Sequence, residues 1–165
     1  MTAADSIATY LTADHHRLDA LLTAAARCRP MDLGRYSEFR RGLLRHIAIE
    51  EKLLLPAAQR ARHGMPLDVA ERLRLDHGAI AALLVPTPTP AIVATLGRIL
   101  GSHNVIEEGP DGLYVACDRL LASEVAPLVA AMEAFPAVKV SPHNDSPAVM
   151  PAVERALERA GYNLG

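Results

Sequence analysis

The sequence predicts an all-α protein, an up-and-down antiparallel four-helix bundle followed by an extra C-terminal helix. The string His-x-x-x-Glu-Glu occurs at residues 46–51 and again at 103–108, with four of six positions identical. A second repeat, which opens on Asp-His and ends on Ala-Leu-Leu, occupies residues 14–22 and 76–84. The two repeats alternate along the chain, which indicates a duplicated helical hairpin, and two hairpins make a four-helix bundle.

The first predicted helix runs from about Ser6, a suitable N-cap residue, to about Cys28, where an Arg-Pro pair follows. Its apolar residues recur at helical spacing, and His15 lies within that stripe. His16 instead shares a polar face with Asp19. We therefore expect His15 to point into the bundle and His16 to point to solvent.

The second predicted helix begins near residue 32 or 37 and ends near residue 63, just before a glycine. His46 and Glu50 stand four residues apart on its inward face, so one side chain lies above the other. Pro56 has no backbone N–H to donate, and we expect it to kink the helix soon after Glu50.

The third predicted helix starts around Pro66, which suits a first helical turn, and ends near Val85. Its apolar stripe contains His77, which is therefore expected to point inward. Three prolines between residues 86 and 90 then predict a stiff, extended connector to the next helix.

The fourth predicted helix opens at about Pro90 and carries His103 and Glu107 on one face. Directly after it, the Gly-Pro-Asp-Gly run at residues 109–112 is expected to break the helix beside that face. Helical spacing of apolar residues resumes and continues to about residue 135.

The remaining chain predicts a linker and one last helix. Residues 136–147 are rich in Pro, Ser, Asn and Asp, and an amphipathic helix occupies about residues 148–161. We expect this helix to dock on its own bundle or on a second subunit, which would make the protein a homodimer. The chain therefore divides into a bundle at residues 1–135 and a linker with a C-terminal helix at residues 136–165.

Composition excludes several function classes. The net charge is −2, and no long basic run is present, which argues against partners such as nucleic acid or an anionic membrane surface. The N-terminal region lacks the basic and apolar segments of a secretory signal, and two cysteines are too few for a disulfide framework. A cytoplasmic location fits these features.

Six inward residues carry the candidate chemistry: His15, His46, Glu50, His77, His103 and Glu107. An inward His is more often a hydrogen-bonded core residue than a metal ligand. Burying four imidazoles and two carboxylates together without a cation would nevertheless be costly, because unpaired buried charges are strongly unfavourable. Nitrogen and carboxylate ligands favour iron or manganese, with zinc as an alternative. A metal-free structural bundle is the remaining interpretation.

In this order, the six residues resemble the motif of the hemerythrin-like, His-His-Glu cation-binding family, over about residues 6–122. The resemblance implies a four-helix bundle around two non-haem iron ions that share an oxo or hydroxo bridge. It also implies binding of dioxygen, nitric oxide or peroxide. By position, the four His would be terminal ligands, and Glu50 and Glu107 would bridge the two iron ions.

Position 81 distinguishes this chain from the oxygen carriers of that family, which have a second His four residues after the third-helix His. Ala81 stands there, so we expect two nearly equivalent iron positions with about two open coordination positions between them.

Two function classes remain open. One is a protein that binds a small ligand, in oxygen, nitrosative or oxidative stress or in iron handling. The other is an oxidoreductase for peroxide or nitric oxide, or a protein that donates iron for the repair of iron centres.

Overall fold

The structure is a computed structural model that describes residues 5–165, and within that range every regular element is helical. This confirms the all-α prediction for the described residues; residues 1–4 of the predicted bundle lie outside them. Among residues 5–165, none of the helices combines the length and the apolar composition that a membrane span requires. In chain order the helices are α1 (Ile7–Arg27), α2 (Leu33–Ile49), a π-helical segment (Glu50–Leu54), α3 (Leu55–Ala61), α4 (Ala70–Leu83), α5 (Pro90–Glu108), α6 (Leu113–Leu120), α7 (Val125–Glu133) and α8 (Val149–Ala160).

Helix α1 follows the sequence prediction closely. The Ser6 hydroxyl caps it by accepting a hydrogen bond from the backbone N–H of Thr9. His15 is buried and His16 is exposed, as the apolar stripe predicts. The stripe therefore identified correctly which of the two adjacent imidazoles enters the core.

The second predicted helix is observed as α2, the π-helical segment and α3 in direct succession. Asp32 is its N-cap, which decides between the two predicted starts. The helix widens into a π turn at Glu50–Leu54, just before Pro56, and the kink expected at Pro56 stays a prediction. Pro56 then lies in the first turn of α3, where a missing backbone donor is tolerated.

The third predicted helix begins later than expected. Helix α4 starts at Ala70 rather than around Pro66, because the preceding residues form a turn in which the N–H of Ala70 donates to the carbonyl of Leu67. Helix α5 does open at Pro90, with Thr89 as its N-cap, and it ends at Glu108 before the Gly-Pro-Asp-Gly run. The predicted break after Glu107 is therefore present.

Two apolar clusters lie on either side of a polar layer. Along α1, the first cluster met contains Ile7 and Leu11, and the second contains Leu18 and Leu22, with His15 between them. Helices α2 and α5 cross the two clusters in the opposite order from α1 and α4. This alternation supports the up-and-down antiparallel order of the four long helices, which stays a prediction.

The C-terminal segment folds back on its own chain. Residues 136–147 have no regular secondary structure, and the guanidinium of Arg40 ties them to the bundle by donating to the carbonyls of Leu84 and Ser141. Helix α8 packs against α4 and buries Val153 and Leu157. The division at residue 135 and the homodimer stay predictions.

Replacing Leu157 by Ala should lower the free energy of unfolding by about 2–5 kcal/mol, because the side chain is fully buried in the core. Urea unfolding of the variant and of the parent protein measures the difference. Arg155→Ala, on the exposed face of the same helix, is the control and should change the free energy by about 0.5 kcal/mol or less. Equal stability of the two variants would show that α8 does not pack as described.

Candidate metal centre

The six predicted site residues meet in the polar layer between the two apolar clusters, and each is at most 6% exposed. Their donor atoms form two sets of four, and within each set all atoms lie within 4.8 Å of one another. The first quartet comprises His15, His46, Glu50 and Glu107, and the second quartet comprises Glu50, His77, His103 and Glu107. The two carboxylates therefore belong to both quartets.

The first quartet joins α1, α2, the π-helical segment and α5. His46 Nε2 lies 3.3 Å from Oε1 of Glu50, one helical turn further along the same helix. His15 Nε2 lies 3.2 Å from Oε2 of Glu107. These are the oxygens that the two carboxylates present to this side of the centre.

The second quartet uses the opposite carboxylate oxygens. His77 Nε2 lies 3.2 Å from Glu50 Oε2, and His103 Nε2 lies 2.9 Å from Glu107 Oε1. Glu50 Oε2, His77 Nε2 and Glu107 Oε1 are buried and have no hydrogen-bond partner among residues 5–165. Buried polar atoms without partners are rare and costly, and a cation is the partner that suits three lone-pair donors at once. The residues present therefore fit a metal ion.

Four further carboxylates hold the outer nitrogens of the four imidazoles. A carboxylate only accepts hydrogen bonds, so each Nδ1 carries the hydrogen and the Nε2 lone pair of a neutral ring faces the centre. His46 Nδ1 donates to Asp14 at 2.9 Å, His77 Nδ1 to Glu51 at 2.7 Å, His103 Nδ1 to Asp76 at 3.1 Å, and His15 Nδ1 to Glu108.

These carboxylates link the four helices in a closed ring. Asp14 on α1 binds the His of α2, and Glu51 in the π-helical segment binds the His of α4. Asp76 on α4 binds the His of α5, and Glu108 at the end of α5 binds the His of α1. The sequence carries a signal for this ring, because each carboxylate directly adjoins a site residue, as Asp-His in one repeat and Glu-Glu in the other.

The carboxylates also set the charge of three of the buried imidazoles. Burial lowers the pKa of His46, but the charge of Glu50 and the hydrogen bond to Asp14 outweigh it and raise that pKa to about 10. Burial also lowers the pKa of His77 and of His103, but the carboxylates around each ring outweigh it. They raise the pKa of His77 to about 11 and that of His103 to about 9. In the absence of metal, protons therefore neutralise the centre, and metal binding must displace them.

Tyr114 of α6 also reaches the first quartet, and the sequence pattern did not predict this. Its hydroxyl donates a hydrogen bond to Glu50 Oε1 at 2.6 Å. Burial and the nearby carboxylates raise the pKa of this hydroxyl well above its usual value. Contrary to the expectation based on Ala81, the two quartets are therefore not equivalent. No spacing rule pointed to Tyr114, because it follows a helix break whose geometry sets its direction.

Two contacts fix helix α6, and with it Tyr114. Asp118, one turn further on, accepts hydrogen bonds from the backbone N–H groups of Ile7 and Ala8 at the start of α1. Gly112 precedes α6 at a point where a Cβ atom would meet the carbonyl oxygen of Glu107 at 2.6 Å. Only glycine allows this close approach, so the break at residues 109–112 folds tightly beneath the centre.

Comparison with known families identifies one match. The model described as Hemerythrin HHE cation binding domain matches residues 6–85, which confirms the resemblance inferred from the sequence over this part of the chain. Neither the curated proteins nor the solved structures yield a match. The matched domain binds cations, and the described residues include His and Glu groups able to hold a metal ion.

Replacing Asp14 by Asn should lower metal affinity about 10- to 100-fold, because His46 Nδ1–H would lose its charged acceptor. Binding of Zn²⁺ in competition with a chelator of known affinity measures the change. Asp19→Asn, on the exposed face of the same helix, is the matched control and should bind like the parent protein. Unchanged affinity in the Asp14 variant would contradict the role given to the ring of carboxylates.

Proposed function

Since residues 6–85 match the hemerythrin HHE cation binding domain, we propose that the chain is a non-haem di-iron protein that binds dioxygen, nitric oxide or peroxide. Each quartet of the centre would hold one iron ion. The proposed terminal ligands are His15 and His46 for one ion and His77 and His103 for the other, with Glu50 and Glu107 shared between them.

The sharing of both carboxylates carries this proposal. Glu50 and Glu107 each direct one oxygen to the first quartet and the other oxygen to the second. A carboxylate that presents its two oxygens to two sets of donors suits a bridge between adjacent cations, which in two-metal sites are typically about 3.5–4 Å apart. A mononuclear site would leave one set of buried donor atoms without a partner.

The donor set supports iron. It contains imidazole nitrogens and carboxylate oxygens without sulfur, a combination that suits iron or manganese, and zinc is an alternative. When bound, iron would supply a redox-active centre with coordination positions that the protein leaves open. The imidazoles and the ring of carboxylates would hold that centre in place and balance its charge.

The burial of the centre supports a small ligand. None of the six residues is more than 6% exposed, and apolar side chains lie on both sides of them. A diatomic molecule or peroxide needs only small fluctuations of the side chains to enter, whereas a larger substrate would need the helices to separate. This fits a role in the response to oxygen, nitrosative or oxidative stress, or in iron handling.

Reduced, iron-loaded protein should bind nitric oxide at the centre, and Glu50→Ala should remove most of this binding by removing a shared ligand. Absorbance and electron paramagnetic resonance during titration with nitric oxide measure the complex. His16→Ala is the control, because His16 is exposed beside a proposed ligand, and it should bind as the parent protein does.

Iron-loaded protein that fails to bind nitric oxide, dioxygen and peroxide would contradict the proposal. Consumption of many peroxide molecules per chain would instead favour the oxidoreductase. This second assay uses the same iron-loaded sample, so the binding function and the enzymatic function can be separated directly.

A further inference from the structure

Tyr114 gives the first quartet a fifth neighbour. Its hydroxyl oxygen lies 2.6 Å from Glu50 Oε1, 3.0 Å from Glu107 Oε2, 3.1 Å from His15 Nε2 and 3.3 Å from His46 Nε2. The side chain is fully buried. All four neighbouring atoms are donors of the proposed first iron position, and the helix that carries Tyr114 lies outside the repeated hairpins.

The hydroxyl of Tyr114 can satisfy only part of this environment by its own hydrogen bond. A hydroxyl has one hydrogen to donate, and two of its four neighbours are carboxylate oxygens, which only accept. The other two are imidazole nitrogens whose rings direct their Nδ1 hydrogens to Asp14 and Glu108. Once the protons that neutralise the metal-free centre have left the imidazoles, the rings are neutral, the single hydrogen serves Glu50, and the other three contacts join lone pairs to lone pairs. A cation among the five atoms removes this repulsion.

The spacing of the five atoms also suits a metal ion. In an octahedral site with bonds of about 2.1 Å, neighbouring donor atoms are about 3.0 Å apart. The distances from the Tyr114 oxygen to the four other donors, 2.6 to 3.3 Å, lie around this value. The Tyr114 oxygen is therefore spaced from all four donor atoms of the first quartet as one further ligand of the same ion would be.

We propose that Tyr114 is a ligand of the first iron ion, through its phenolate oxygen. This inference rests on the di-iron function proposed above. As the oxygen–iron bond forms, the phenolic O–H bond breaks and the proton passes to solvent. Phenolate oxygen is a known ligand of protein-bound iron.

The consequence is an unequal pair of iron ions. The first has five protein donor atoms and the second has four, so more coordination positions remain open beside His77 and His103. The anchors of α6 at Gly112 and Asp118 hold the phenol in place, so the asymmetry is built into the fold.

Resonance Raman spectroscopy of the ferric, iron-loaded protein tests the ligand directly. A phenolate bound to ferric iron absorbs visible light by charge transfer, and excitation in that band enhances the vibrations of the tyrosine ring. We expect these vibrations in the parent protein, and we expect their frequencies to shift when the protein is produced with ring-deuterated tyrosine. This measurement needs no variant and does not depend on activity.

Tyr114→Phe should lose the ring vibrations and keep two iron ions per chain by elemental analysis. Tyr36→Phe is the matched control, since Tyr36 is also fully buried and its hydroxyl has no partner among residues 5–165. It should retain the spectrum of the parent protein. Two iron ions per chain without tyrosine vibrations would overturn the ligand assignment and leave the di-iron proposal standing. A parent protein that takes up no iron would overturn both.

Discussion

The structure depends on the neutralisation of two carboxylates. Glu50 and Glu107 lie in the core with no exposed surface. Burial raises the pKa of each carboxyl, but the surrounding imidazoles outweigh it and lower both values. The centre is thus built around negative charge, and positive charge must accompany it whenever the bundle is folded. Protons on the imidazoles meet this need in the metal-free protein, and metal ions would meet it in the loaded protein.

Each Glu-Glu pair contacts one imidazole, and its two carboxylates lie against the two ring nitrogens. Glu50 and Glu51 face Nε2 and Nδ1 of His77, while Glu107 and its neighbour Glu108 face the same two atoms of a His on α1. Each pair stands where a regular α-helix ends, one at the start of the π-helical segment and the other before the Gly-Pro-Asp-Gly break. Both helical irregularities therefore lie directly beside residues of the centre.

The sequence predicted the parts of the fold that depend on local spacing. Apolar periodicity separated His15 from His16, and glycine with proline marked the break at residues 109–112, because each signal acts within one helix. The pairing of Asp14 with His46 joins two helices, so spacing along one of them could not reveal it. Tyr114 was missed for the same reason: its direction depends on how α6 packs against α1, through Asp118.

The central claim is that two adjacent cations share Glu50 and Glu107. Anomalous X-ray diffraction at the iron absorption edge, from crystals of the iron-loaded protein, tests it most directly. We predict two anomalous peaks about 3.5–4 Å apart, one beside His15 and His46 and the other beside His77 and His103. A single peak, or peaks away from the two shared carboxylates, would contradict the account.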